Sequence, residues 1–196
     1  MSVYGEDTKD FLKGKHVYGG EYVHRLLKPL QPGDKLPEFS GTVFHRGRES
    51  DINIDQLKGN ALLLIFIPNT LDKHGEASWN LVIDLCLTKG LDLDIVAITS
   101  NGEATMRAWM RLKANPALRR AYIIPDHCGH IVTKFGLMNP DTCETYSGFF
   151  VSDVDGCIQG SSISSKICGI YPFSSEEAIE FVETSLTPAS DVSSEA

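Results

Sequence analysis

Residues 61–76 read Ala61-Leu62-Leu63-Leu64-Ile65-Phe66-Ile67-Pro68-Asn69-Thr70-Leu71-Asp72-Lys73-His74-Gly75-Glu76. Ala61 to Ile67 is an unbroken apolar run, the pattern of a strand covered on both faces. The next periodic segment carries Trp79, Val82, Ile83, Leu85 and Cys86 at helical spacing and stops near Gly90. Between strand and helix lies the densest polar cluster of the chain, Thr70, Asp72, Lys73, His74 and Glu76.

The alternation continues outward. Leu91 to Ile98 starts as alternation and turns fully apolar, predicting a second buried strand. Ser100 or Asn101 is placed to cap a helix bearing Met106, Trp109, Met110 and Leu112. Ala121 to Ile124 predicts a short strand, and His130 to Phe135 a short helix ending at Gly136. Gly148 to Ser152, Asp153 to Gly156 and Cys157 to Gln159 read as strand, turn and strand, with Asp155-Gly156 as the turn pair. Ser174-Ser175-Glu176-Glu177 matches a capping box ahead of Ala178, Ile179, Phe181 and Val182. This order fits a thioredoxin-like α/β sandwich with a central mixed sheet flanked by helices.

The chain has 196 residues, enough for one domain with short extensions. Three stretches are expected: residues 1–30 as an N-terminal extension, 31–186 as the folded domain, and 187–196 as a disordered tail. The extension offers Tyr18, Tyr22, Leu26 and Leu27 as packing anchors, and prolines 29, 32 and 37 mark an extended connector. At 42% hydrophobic and 22% charged the composition is that of an ordinary globular protein. The apolar run from Ala61 to Pro68 is far shorter than the roughly 20 residues that cross a bilayer, so no membrane role is expected. A formal net charge of −8 argues against general nucleic-acid binding. Much of that charge comes from Glu176, Glu177, Glu180, Glu183, Asp191 and Glu195, in a segment lacking Lys and Arg.

Met1-Ser2-Val3-Tyr4-Gly5-Glu6 lacks the charged and apolar stretches of a secretory signal, so a cytoplasmic setting with reduced thiols is expected. The cysteines are Cys86, Cys128, Cys143, Cys157 and Cys168, odd in number and without C-x-x-C spacing. Asp126-His127-Cys128-Gly129-His130 holds part of a zinc ligand set, but nothing completes a tetrahedron. A surface loop is expected there, and neither a metal nor a cofactor.

Over residues 31–186 the chain resembles the peroxiredoxins. Gly33-Asp34-Lys35-Leu36-Pro37-Glu38-Phe39 looks like the family's opening G-x-x-A-P-x-F. Leu57-Lys58-Gly59-Asn60 followed by the apolar strand and Pro68 is similar to its second signature. Ile98-Thr99-Ser100 with Ala108-Trp109, Asp126 with Phe135-Gly136, and the hairpin from Phe149 to Gly156 match later ones in the same order.

The resemblance implies the fold, a homodimer, and a reaction centre where the first strand meets its helix. In the family a cysteine stands there in P-x-x-x-T-x-x-C, and its thiolate attacks peroxide. Counted without gaps from Pro68, that position holds Gly75; with a two-residue deletion, Thr70 and Glu76 align and Lys73 stands there. The family's activating arginine corresponds to Ser147. Both groups of the peroxidase reaction are therefore absent. The flavin-dependent phenol hydroxylases' C-terminal domain shows this architecture persisting without redox chemistry.

The retained pocket is expected to bind a small organic molecule and to support non-redox acid–base chemistry such as cyclisation, elimination or isomerisation. His74 would act as general acid or base oriented by Asp72, and Lys73 would pair with an anionic group. Thr70, Glu76 and Ser147 would contact substrate. The alternatives are an exposed loop with ordinary capping residues in a dimeric interaction module, or an atypical thiol-dependent peroxidase.

Overall fold

The computed structural model describes residues 28–187 apart from 69, 70, 72, 140–142 and 168–173. Strand β3 (Leu62–Ile67) sits inside the sheet with all its side chains buried. Successive strand residues point to opposite faces. Leu63, Ile65 and Ile67 therefore enter one core cluster, while Leu62, Leu64 and Phe66 enter the other. Each such side chain contributes about 1.5–3 kcal/mol on burial.

Helix α1 (Lys73–Leu87) covers the first face through Trp79, Leu81, Val82, Leu85 and Cys86, with Ile83 only partly buried. It leads to β4 (Asp94–Thr99), α2 (Glu103–Lys113) and β5 (Tyr122–Pro125). Trp79 of α1 meets Trp109 of α2 with ring centroids 4.6 Å apart. The opposite face is closed by the short α3 (His130–Lys134), whose Ile131 and Val132 join Phe39, Leu57 and Phe135. Phe66, Phe135 and Phe150 form an edge-packed aromatic group there, with centroids 4.7–5.7 Å apart.

Strands β6 (Tyr146–Ser152) and β7 (Ile158–Ile167) extend the sheet beyond β3, and α4 (Ser175–Leu186) packs across them. Ser174 and Glu177 make both halves of the capping box that opens α4. Gly160 lets α4 approach, since a Cβ there would stand 2.9 Å from Ser185 Cβ and 3.1 Å from Phe181 Cζ. The turn before β7 contains Asp153, whose Oδ1 accepts from the N–H groups of Asp155 and Cys157.

With β1 spanning Ser40–His45 and β2 Arg48–Asn53, the sheet order is β2-β1-β5-β4-β3-β6-β7, with β3, β4 and β5 parallel and the outer pairings antiparallel. The thioredoxin-like mixed sheet expected from the sequence is present. It also has strands not foreseen there, β1 (Ser40–His45) and β2 (Arg48–Asn53), joined through Arg46 and Gly47. Both linking residues have positive φ, 51° and 74°, as a two-residue hairpin turn requires.

Two other expectations need correction. Gly102, not Ser100 or Asn101, is the N-cap of α2, and Leu112 lies 85% exposed off the buried stripe of Met106 and Trp109. The second strand of the last hairpin runs to Ile167 rather than stopping at Gln159. The connector prolines lead in along this hairpin: Gly33 N donates to Ile158 O at 2.8 Å, and Leu36 N to Gly156 O at 2.9 Å. Tyr18, Tyr22, Leu26, Leu27, Cys168 and the tail beyond Thr187 lie outside the described residues.

Candidate functional site

The parallel strands β3, β4 and β5 all end on the side of the sheet where α1 begins. Ligands bind at carboxyl ends of parallel strands because the loops there converge and helix N-termini offer N–H groups without intrahelical partners. Both positions that align with the family's cysteine, Lys73 and Gly75, fall in the first turn of α1. Lys73 is exposed, His74 half-buried and Gly75 buried. Ser78, one turn on, is buried and donates its Oγ proton to His74 O at 3.0 Å, fixing the backbone below the histidine.

The other predicted site residues are divided. Glu76 is drawn sideways, accepting from Lys113 Nζ of α2 at 3.0 Å on the surface. Ser147 is buried in β6. Since Phe66 pairs with Gly148 in an antiparallel ladder, Ser147 lies beside the last residue of β3, next to the turn into α1. Thr70 and Asp72 lie outside the described residues, so the Asp72–His74 relationship is not among the described contacts.

Sequence reasoning missed the polar groups that complete this end of the sheet. Ser100 Oγ and Thr145 Oγ1 are 3.0 Å apart, tying the loop after β4 to the residue before β6. Thr99 Oγ1 donates to Asn101 Oδ1 at 3.1 Å. Thr99, Thr145, Asn139 and Ser147 are all at most 5% exposed. Among the described residues Ser152 is the buried polar side chain at the opposite strand end, paired with Leu62. An apolar strand followed by Thr99-Ser100-Asn101 was the available signal, but those residues suggested only a helix cap.

None of the described cysteines stands in the opening turn of α1. Cys86 is buried in its last turn, where burial pushes the thiol up to about 11 while nearby Arg120 pulls it down. Cys128 and Cys143 are exposed, and Cys157 is half-buried at the β6–β7 turn. The loop of Asp126, His127, Cys128 and His130 is not gathered around one point. Asp126 turns inward, its Oδ2 accepting from Ile131 N at 2.9 Å and Val132 N at 2.8 Å to start α3. Among the described residues no group of three or more His, Cys, Asp or Glu side chains is arranged to hold a metal ion.

Solved structures of similar shape include AhpC and 2-Cys peroxiredoxin proteins. Enterococcus faecalis AhpC superimposes with a TM-score of 0.67 at 17% identity, over 79% of this chain and 91% of that one. The reduced Plasmodium vivax 2-Cys peroxiredoxin gives 0.65 at 15% identity, over 79% and 96%. In sequence, peroxiredoxin 1 of Brugia malayi is 25% identical over 165 residues, spanning 80% of this chain and 72% of that protein. The chain has the thioredoxin-like α/β fold of these proteins and is similar in sequence to a peroxiredoxin. No family model matches it. On this fold Lys73, His74 and Gly75 stand at the opening of α1, with Ser147 beside the end of β3. No described helix is long and apolar enough to cross a membrane.

Proposed function

We propose that this peroxiredoxin-like protein has lost thiol peroxidase activity and uses the pocket at the start of α1 to bind a small organic molecule. The observation that supports the reading is that the opening turn of α1 carries Lys73, His74 and Gly75 and no cysteine, Lys73 and Gly75 being the two alternatives that align with the family's nucleophile. A peroxidase needs a thiolate there, because the sulfur itself forms the bond to peroxide oxygen. An imidazole and an ammonium instead suit proton transfer. His74 would remove a proton from an acidic C–H or O–H, Lys73 would stabilise the negative charge left behind, and the imidazolium would return the proton elsewhere on the substrate. Such a cycle moves no electrons to or from the protein and fits cyclisation, elimination or isomerisation. Asp72 is proposed to orient His74, and Thr70, Glu76 and Ser147 to contact the substrate, in a cytoplasmic homodimer.

The test is a fragment screen by ligand-observed NMR on the full chain, comparing wild type with His74→Ala and with Ser147→Arg. Hits that vanish in both variants support the pocket. Hits that are unaffected by either contradict it.

One observation favours a second reading, an atypical thiol peroxidase. Cys143 is exposed two residues before Thr145, whose hydroxyl meets Ser100 at the strand ends. That reading requires Cys143→Ser to abolish peroxide turnover while His74→Ala leaves it intact.

A further inference from the structure

Away from this site the chain gathers its arginines. The sequence has seven: Arg25, Arg46, Arg48, Arg107, Arg111, Arg119 and Arg120. All six that are described line two adjoining cavities that share Arg119. In a chain of net charge −8 this concentration is not expected from solvation alone, since basic side chains are ordinarily interspersed with acids. One member of the second cavity is already neutralised: Arg107 holds Glu49 in a two-pronged pair at 2.9 and 2.6 Å. The first cavity is different. Arg46, Arg119 and Arg120 form no ion pair with a described carboxylate.

That first cavity has a volume of about 440 Å³ and opens at the far end of α1 from Lys73. The three arginines are placed on its walls by separate means. Arg46 occupies the hairpin turn with φ 51°, and its N–H donates to Arg119 O at 3.1 Å. Arg119 lies over the same turn, its Nε 3.7 Å from where a Cβ on Gly47 would stand. Arg120 donates to the carbonyl oxygen of Cys86, offsetting the partial negative charge at the end of α1. His45 stacks flat on Tyr122 with centroids 3.9 Å apart, and its Nδ1 faces Ala121 O at 3.1 Å, so the proton is on Nδ1. The carboxylate on the lining is Asp94, whose Oδ2 is held by Asn60 Nδ2 at 2.8 Å.

We infer that this cavity binds a small multivalent anion, a phosphate ester or pyrophosphate group, gripped by Arg46 and Arg119 with Arg120 behind. Three guanidinium charges against one carboxylate leave an excess of two, which a single carboxylate ligand would not neutralise. The planar fork of arginine matches two oxygens of a phosphate at once. The volume accommodates a small molecule and not a folded partner. An extended nucleic acid would need Arg48 and Arg111 of the second cavity as well, and is the competing outcome of the test.

The experiment is isothermal titration of the full chain at fixed ionic strength with sodium pyrophosphate, with citrate and with a single-stranded oligonucleotide. Saturable pyrophosphate binding is expected, weakened about tenfold or more when Arg46→Gly and Arg119→Gln are combined. Arg46→Gly keeps the positive-φ turn, so the double variant should retain its circular dichroism spectrum. Arg111→Ala, in the second cavity, should leave pyrophosphate affinity unchanged. Citrate binding more weakly than pyrophosphate assigns the phosphate class, and equal binding assigns small polyanions generally; both support the site. Absence of saturation at millimolar pyrophosphate, or full affinity in the folded double variant, overturns the inference. So does an oligonucleotide that binds more tightly and loses affinity in Arg111→Ala.

Discussion

Lys73 opens α1 and Cys86 lies in its last turn, so the two stand at opposite ends of one helix, about 20 Å apart. The buried thiol of this helix is therefore remote from the end where a family nucleophile would act. Its surroundings are apolar: Cys86 belongs to the core cluster with Trp79, Val82 and Leu85.

That burial gives a pH prediction. The folded state holds the Cys86 thiol up to about 11, above the ordinary value of about 9. Between those values the unfolded chain releases a proton that the native chain keeps. The contribution is fully present below about pH 9 and is lost as pH rises toward about 11. Urea midpoints measured across this range should fall more steeply for wild type than for Cys86→Ala. Equal slopes would mean the thiol is not desolvated. In the native protein at neutral pH, Cys128 and Cys143 should react with a thiol reagent well before Cys86.

Gly136 is the second place where packing leaves no choice. It has φ +71°, and a Cβ there would come within 2.3 Å of the carbonyl oxygen of Lys28. The obstacle is backbone, held where Leu30 N donates to Phe135 O at 3.3 Å. Gly136→Ala should cost roughly 2–4 kcal/mol, combining the left-handed conformation with displacement of the lead-in segment. Chemical denaturation measures it. A loss under about 0.5 kcal/mol would show that residues 28–30 are not held against α3.

Much of this architecture was legible because its signals are local. The all-buried run of β3, the stripe of α1 and the reciprocal Ser174–Glu177 cap each follow from a few neighbouring residues. The β1–β2 hairpin was not legible. Of β2 only Ile52 is buried, so an edge strand with charged residues shows no apolar alternation. Its turn is Arg46-Gly47 where Asn-Gly is the usual marker. Ser100 and Asn101 misled because their side chains are engaged elsewhere, Ser100 across the fold with Thr145 and Asn101 locally with Thr99, which leaves Gly102 to begin α2. At the site, Lys73, His74 and Ser147 were visible as residues that replace a known pattern. The hydroxyl pairing of Ser100 with Thr145 joins positions 45 residues apart and had no sequence signal.

That pairing can be measured. A double-mutant cycle of Ser100→Ala and Thr145→Val should give a coupling energy of about 0.5–1.5 kcal/mol, the range of a sheltered neutral hydrogen bond. Additive losses would show that the loop after β4 and the entry to β6 are energetically separate. In that case the strand-end polar groups do not act as one support for the proposed pocket.

The central claim is the loss of thiol peroxidase chemistry, and peroxide consumption in excess dithiothreitol tests it most directly. Wild type is compared with a variant carrying Ala at Cys86 and Ser at Cys128, Cys143, Cys157 and Cys168. Near-ultraviolet circular dichroism of the Trp79–Trp109 pair reports that the variant is folded. The account predicts that both proteins match the protein-free thiol background. Turnover well above that background in wild type, abolished in the folded cysteine-free variant, would contradict it.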